Sequence, residues 1–120
     1  MADIPVQDIT LYQSSTFEMQ VIYEDADGNA ITNLSNVQMQ IKTLKTDAFA
    51  ARILGLNNGS GITLTAATGT IDIKITDEQT EAMTPGSAWY DLIVENTSGD
   101  RYVLLQGAVT IEQGVTSWQS

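Results

Sequence analysis

Apolar and polar residues alternate along most of this chain. Phe17, Met19, Val21 and Tyr23 are interleaved with Glu18, Gln20, Ile22 and Glu24. Val37, Met39 and Ile41 alternate with Gln38, Gln40 and Lys42, and Ile71, Ile73 and Ile75 with Asp72 and Lys74. A period of two sends successive side chains to opposite faces, so each run predicts a strand with one face buried. Shorter runs repeat the pattern over residues 8–13, with Ile9 and Leu11 on one face, and at Ile62 and Leu64. The strongest pair closes the chain. Two β-type runs, from Trp89 to Val94 and from Tyr102 to Ile111, flank the turn Asn96-Thr97-Ser98-Gly99-Asp100.

What separates the runs is turn chemistry. Asp25-Ala26-Asp27-Gly28-Asn29, Asn57-Asn58-Gly59-Ser60-Gly61 and Ala67-Thr68-Gly69 each offer residues that tolerate positive φ. Residues 30–35 read as a short edge-like connection pinned by Ile31 and Leu34. Residues 47–56 are ambiguous. Ala48, Ala51 and Arg52 allow a turn of helix, and Ile53-Leu54 a short strand. They read as an irregular excursion that sets Phe49 and Ile53 or Leu54 on the core. Thr76-Asp77-Glu78-Gln79 has the form of a capping box. It predicts one short helix over 76–83, stopped by Thr84-Pro85-Gly86. About seven strands at this spacing, with one helix in a connection, predict a single all-β antiparallel sandwich. Its expected limits are residues 8–112, with an N-terminal arm at 1–7 and a C-terminal arm at 113–120.

Composition narrows the function. The chain has 120 residues and is 42% hydrophobic, enough for one domain with a real core. Only 17% of it is charged, and the balance is acidic, with a formal charge of −10. Nucleic-acid binding and attachment to anionic membranes both need Lys and Arg in excess, so neither partner is expected. There is no Cys and no His. Disulfides, thiolate nucleophiles, the usual general base and the usual transition-metal ligands are thereby excluded. No apolar run has the length of a membrane helix, and Met1-Ala2-Asp3-Ile4-Pro5 lacks the basic-then-hydrophobic order of a secretion signal.

The remaining motifs read as structure. Asp25-x-Asp27-Gly28-Asn29 opens like a calcium loop, but that loop needs Gly at its sixth place and Glu at its twelfth, where Ala30 and Asn36 stand. Asp77, Glu78 and Glu81 complement the dipole of the predicted helix. Asp91, interrupting Tyr90-Asp91-Leu92, is expected to pair with Arg101 across the hairpin. Gly107, between Leu105 and Val109, reads as a sheet bend. Gly59 and Gly61 lack the Lys-Ser/Thr of a phosphate loop. No catalytic, cofactor or metal residue is expected, and the chain is not read as an enzyme.

The ordered elements resemble a known group. A strand ending in Tyr90-Asp91-Leu92, the turn Ser98-Gly99-Asp100, then Leu104-Leu105-x-Gly107-x-Val109 and Gly114-Val115-Thr116 look like small bacteriophage virion proteins. They resemble the immunoglobulin-like N-terminal domain of phage upper-baseplate and tail-fibre proteins. Phe17 to Tyr23, Asp27-Gly28 and Thr32-Asn33-Leu34-Ser35 match that group's first strand, turn and following element. Gly69 to Ile75, Thr80 to Met83 and Pro85-Gly86 match its later strand, helix and turn. Asn33 departs from the usual Asp, and the terminal strand is shorter than the group's.

The resemblance implies an immunoglobulin-like β-sandwich in a virion, partnered by other virion proteins and by further copies of itself. The leading expectation is a tail or baseplate adaptor that holds fibres or ring proteins. A capsid decoration (cement) protein bound to the major capsid protein is the alternative. A virion carbohydrate-binding module, a third reading, needs exposed aromatics on one face and has Trp89, Tyr12, Tyr23, Tyr90 and Tyr102 to draw on. A terminal tryptophan needs something to dock on, and terminal strands offer sheet edges. The interface candidates are therefore Trp118 and Val115, Trp89, Ile4 and Pro5, and Leu11 and Tyr12.

Overall fold

A computed structural model describes residues 6–44 and 52–114. In chain order the elements are β1 (Ile9–Tyr12), β2 (Phe17–Ile22), β3 (Leu34–Lys42), β4 (Leu54–Asn58), β5 (Gly61–Thr65), β6 (Thr70–Ile75), α1 (Asp77–Glu81), β7 (Gly86–Asn96) and β8 (Arg101–Glu112). The protein is all-β, with one short α-helix and a single 3-10 turn, Ala66–Thr68, among the described residues. The strands form one eight-stranded sheet in the order β1-β8-β7-β3-β4-β5-β6-β2.

That order forces the sheet to curl. Its two ends, β1 and β2, are consecutive in the chain. Laid flat, eight strands would separate them by about 34 Å. The five peptide steps from Tyr12 to Phe17 reach at most about 18 Å, so the ends must swing together. The inner faces then meet in one core. It is built from Ile9 and Leu11 (β1), Val37, Met39 and Ile41 (β3), Ile62 (β5), Ile71, Ile73 and Ile75 (β6), Leu92 and Val94 (β7) and Val109 and Ile111 (β8). Phe17, Met19 and Val21 of β2 pack against it. The alternation in the sequence is the inside-outside pattern of these strands.

The sheet is weakly joined at one place. β4 and β5 share only two parallel rungs, Asn57 with Gly61 and Asn58 with Ile62. On one side of that junction lie β1-β8-β7-β3-β4, and on the other β5-β6-β2.

The helix forms where the capping box predicts it. Thr76 Oγ1 accepts from Gln79 N at 3.2 Å, and Gln79 Oε1 accepts from Thr76 N at 2.9 Å. The helix is also tethered to the β1–β2 connection. There Ser14 takes a positive φ of 64°, a conformation that costs a non-glycine residue about 1 kcal/mol. Thr80, fully buried, donates to the Ser15 carbonyl at 3.0 Å and accepts from Ser15 N at 3.2 Å, while Gln13 Nε2 donates to the Met83 carbonyl at 2.8 Å. These bonds hold the chain through the strained crossing.

Several expectations need correction. The stretch read as irregular ends in a strand, β4, whose Leu56 aligns with Met39 and whose Leu54 aligns with Ile41. Pairing with β3 at Gly55 and Asn57, and with β5 at Asn58, outweighs the poor strand preference of these residues, two of which read as turn in the sequence. Phe49 lies outside the described residues. Arg101 pairs with Glu95 at 2.7 Å and not with Asp91, because the register sets Glu95 opposite Arg101 and Asp91 opposite Gln106. The irregularity in the β7–β8 hairpin falls between Leu92 and Ile93, opposite Leu104, and not at Gly107. Residues 6 and 7 of the expected N-terminal arm are already attached to β8: Val6 bridges to Gln106, and Gln7 N donates to the Gln106 carbonyl at 2.8 Å.

Candidate binding face

Gly107 admits the N-terminal segment to the sheet. A Cβ at this position would collide with the Gln7 carbonyl. With only hydrogen there, Gln7 lies directly against β8 and its carbonyl accepts from the Tyr90 hydroxyl. Next to it the Asp8 carboxylate accepts from Ala108 N at 2.9 Å, and β1 then continues in parallel from Ile9 opposite Val109 to Tyr12 opposite Glu112. Burial, and secondarily the Asp8 charge, push the Tyr90 phenol up to about 12. Tyr90 is therefore a proton donor throughout the neutral range, as the Gln7 carbonyl requires.

The outer surface of β3, β7 and β8 is built in rows across the strands. One row is Lys42, Trp89 and Ala108, the next Gln40, Asp91 and Gln106, the next Gln38, Ile93 and Val103. A shallow hollow in this surface is lined by Gln38, Gln40, Lys42, Trp89, Asp91 and Gln106, among others. Trp89 is 40% exposed there. Asp91 is half-buried, and that burial raises its pKa above the usual carboxylate value, while the Lys42 ammonium pulls it back down. A second hollow adjoins along β7. It shares Gln38 and Ile93 with the first and adds Asn36, Glu95 and Arg101.

The outer surface of β2, β6 and β5 differs. Gln20 Nε2 donates to Asp72 Oδ1 at 2.8 Å, and Glu18 stands opposite Lys74. A hollow there is lined by Glu18, Gln20, Thr63, Asp72 and Lys74 among others, with no aromatic side chain. Elsewhere the acidic turn is closed on itself: Asp25 Oδ1 accepts from Asp27 N at 2.9 Å and from Asn29 N at 3.0 Å. Asn96 closes the β7–β8 turn in the same way, accepting from Ser98 N and Asp100 N. Among the described residues no three potential metal ligands come together.

The expected interface residues scatter. Trp89 and Tyr12 are both exposed, but they align with Ala108 and Glu112, four positions apart along β8, and share no hollow. Leu11 is fully buried, because strand alternation turns it inward with Ile9; a side chain in the protein's own core is not available to a partner. Ile4, Pro5, Val115 and Trp118 lie outside the described residues. Of the aromatics considered for sugar binding, Tyr90 is buried, Tyr23 packs against the core, and Tyr102 is exposed. Sequence reading passed over the three glutamines around Trp89. The signal was present in Gln38 and Gln40, which take alternate outward places on β3, but strands with polar outer faces are too common for it to stand out. Set against known proteins, the chain matches no family model and no curated protein.

Proposed function

We propose that this protein is a non-enzymatic structural component of a phage virion, an adaptor in the tail or baseplate that holds fibres or ring proteins through protein–protein contacts. The observation that carries the reading is the strand order. Split at the two-rung junction, it gives β1-β8-β7-β3-β4 on one side and β5-β6-β2 on the other, with the helix in the β6–β7 connection. Relabelled in immunoglobulin terms, β2, β6 and β5 take the places of strands B, E and D, and β3, β7 and β8 those of C, F and G. This order supports the immunoglobulin-like sandwich that the resemblance implies; the virion setting rests on the resemblance alone. The terminal segments and strand edges are where such a domain would meet neighbours and further copies of itself.

Copy number per particle tests the placement. Quantitative gel analysis of purified virions should give tens of copies for a tail or baseplate ring. Hundreds would instead indicate a cement protein on the capsid, and absence from particles would end the virion reading. Deletion of residues 113–120 should abolish incorporation and leave folding intact by circular dichroism. Normal incorporation of the truncated chain would remove Val115 and Trp118 as anchors.

A further inference from the structure

We infer that the hollow on the outer face of β3, β7 and β8 is a binding site for a neutral oligosaccharide, with one pyranose ring stacked on Trp89 and its hydroxyls held by Gln40, Gln106 and Asp91. The inference rests on this face alone and not on the virion reading.

A pyranose presents two chemistries. Its C–H faces are apolar and pack on flat aromatic rings, and its rim carries hydroxyls that each donate and accept. A site for it needs an accessible ring beside planar polar groups of both kinds. Trp89 is 40% exposed and lines the hollow. Gln38, Gln40 and Gln106 each offer two donors and an acceptor, Asp91 offers acceptors, and Lys42 donors. Gln40 and Gln106 flank Asp91 in a single row across three strands. Neighbouring strands stand about 4.8 Å apart, and alternate residues along one strand about 6.7 Å, so these groups are spaced to meet the substituents of one ring.

The site is also preorganised. β7 is paired on both sides, by β3 and β8, and β3 by β4 and β7. The backbone that carries these side chains therefore needs no ordering on binding, which matters for a weakly held, heavily hydrated ligand. The charge pattern selects the class. The hollow is lined by one carboxylate and one ammonium, Asp91 and Lys42, in a chain of formal charge −10. Acidic polysaccharides meet no net positive charge here and a repulsive field overall. Length follows from the adjoining hollow. It continues past Ile93 to Glu95 and Arg101, which gives a second sugar somewhere to lie. The hollow on the opposite face has polar groups but no ring, and serves as an internal control.

The test is a titration of the full isotope-labelled chain with maltohexaose, cellohexaose and chitohexaose, followed by amide chemical shifts, with dextran sulfate as the anionic control. At least one neutral oligomer should shift the amides of Gln40, Trp89, Asp91 and Gln106, with a dissociation constant of roughly 1 mM or tighter. Trp89→Ala should weaken binding by about tenfold or more, equivalent to about 1.4 kcal/mol. Trp89→Phe, which keeps a flat ring, should retain part of it. Gln40→Ala and Gln106→Ala should each weaken binding severalfold, and they decide the matter if Trp89→Ala does not fold. Gln20→Ala, on the other face, should bind as the parent does. The proposal is overturned if no neutral oligomer shifts these amides, if dextran sulfate binds more tightly than they do, or if folded Trp89→Ala binds unchanged. None of these outcomes bears on incorporation into particles.

Discussion

On the three-stranded side of the sheet, Ile62, Ile71, Ile73 and Ile75 point inward while Gln20 and Asp72 bond to each other outside. On the five-stranded side, the interior includes the Tyr90 hydroxyl bonded to Gln7, and the exterior sets Asp91 among Trp89, Gln40 and Gln106. The first arrangement satisfies its polar groups locally and buries branched aliphatics. The second accepts costs: a mid-strand glycine that admits Gln7, a phenol held against a backbone carbonyl, and a carboxylate partly removed from water. Natural proteins carry such departures mainly where a surface does something besides fold. The contrast separates a side of the sheet whose outer polar groups bond to one another from a side whose outer face holds a carboxylate partly removed from water.

The sharpest way to break this contrast is through the core that both sides share. Ile73→Ala should cost about 2–5 kcal/mol, read as a lowered urea midpoint at unchanged slope. Amide exchange should quicken across all eight strands. Acceleration confined to β2, β5 and β6 would mean that the two sides open independently.

Gly107→Ala should cost about 1–3 kcal/mol by overpacking, and its effect should be local. The added methyl drives Gln7 off β8, so the amides of Gln7 and of Ala108, bonded to Asp8, should lose protection first. Tyr90→Phe leaves the Gln7 carbonyl short of a partner and should cost about 1–2 kcal/mol. It also carries a pH signature. The folded phenol holds its proton to about 12 and the unfolded one to 10.0, so its contribution is complete below the unfolded value and is lost as pH rises between the two. Alkaline denaturation curves of Tyr90→Phe should lack that part of the decline.

The smallest effect has the opposite sign. Burial favours the protonated form of Asp91, so the fold binds this proton more tightly than the unfolded chain does. Stability contributed this way is present in acid and falls as pH rises through the interval above the ordinary value of 3.8. Asp91→Asn should therefore raise the melting temperature slightly at neutral pH, and the gain should vanish in strong acid. Lys42→Met should enlarge that gain, because it removes the charge that now steadies the carboxylate.

Much of the scaffold was legible in the sequence. Period-two runs located β2, β3, β6 and the β7–β8 hairpin, and the capping box located the helix, because both are local patterns with one physical solution. β4 was missed because Gly55, Asn57 and Asn58 form poor strands alone; Gly55 and Asn57 are held by pairing with β3, and Asn58 by pairing with β5. The pairing of Arg101 was misjudged for a related reason. The register sets Asp91 opposite Gln106 and Glu95 opposite Arg101, so Arg101 lies too far along β8 to reach Asp91. Gly107 was noticed, but the residue it makes room for lies 100 positions earlier in the chain, where no local pattern reaches. Of the candidate face, Trp89 and Asp91 stood out in the sequence. Gln40, Gln106 and Lys42 did not, because only the register brings three separate strands into one row.

The pairing of β1 with β8 also fixes a schedule. Ile9 meets Val109 and Leu11 meets Ile111, each across 100 residues of chain. Contacts of such separation are slow to form, since so much chain must first be ordered or looped. On the ribosome β1 is made about 100 residues ahead of its partner. β8 must be made before Ile9 and Leu11 can pair with it, and until then a chaperone would find two exposed aliphatic side chains on the nascent chain.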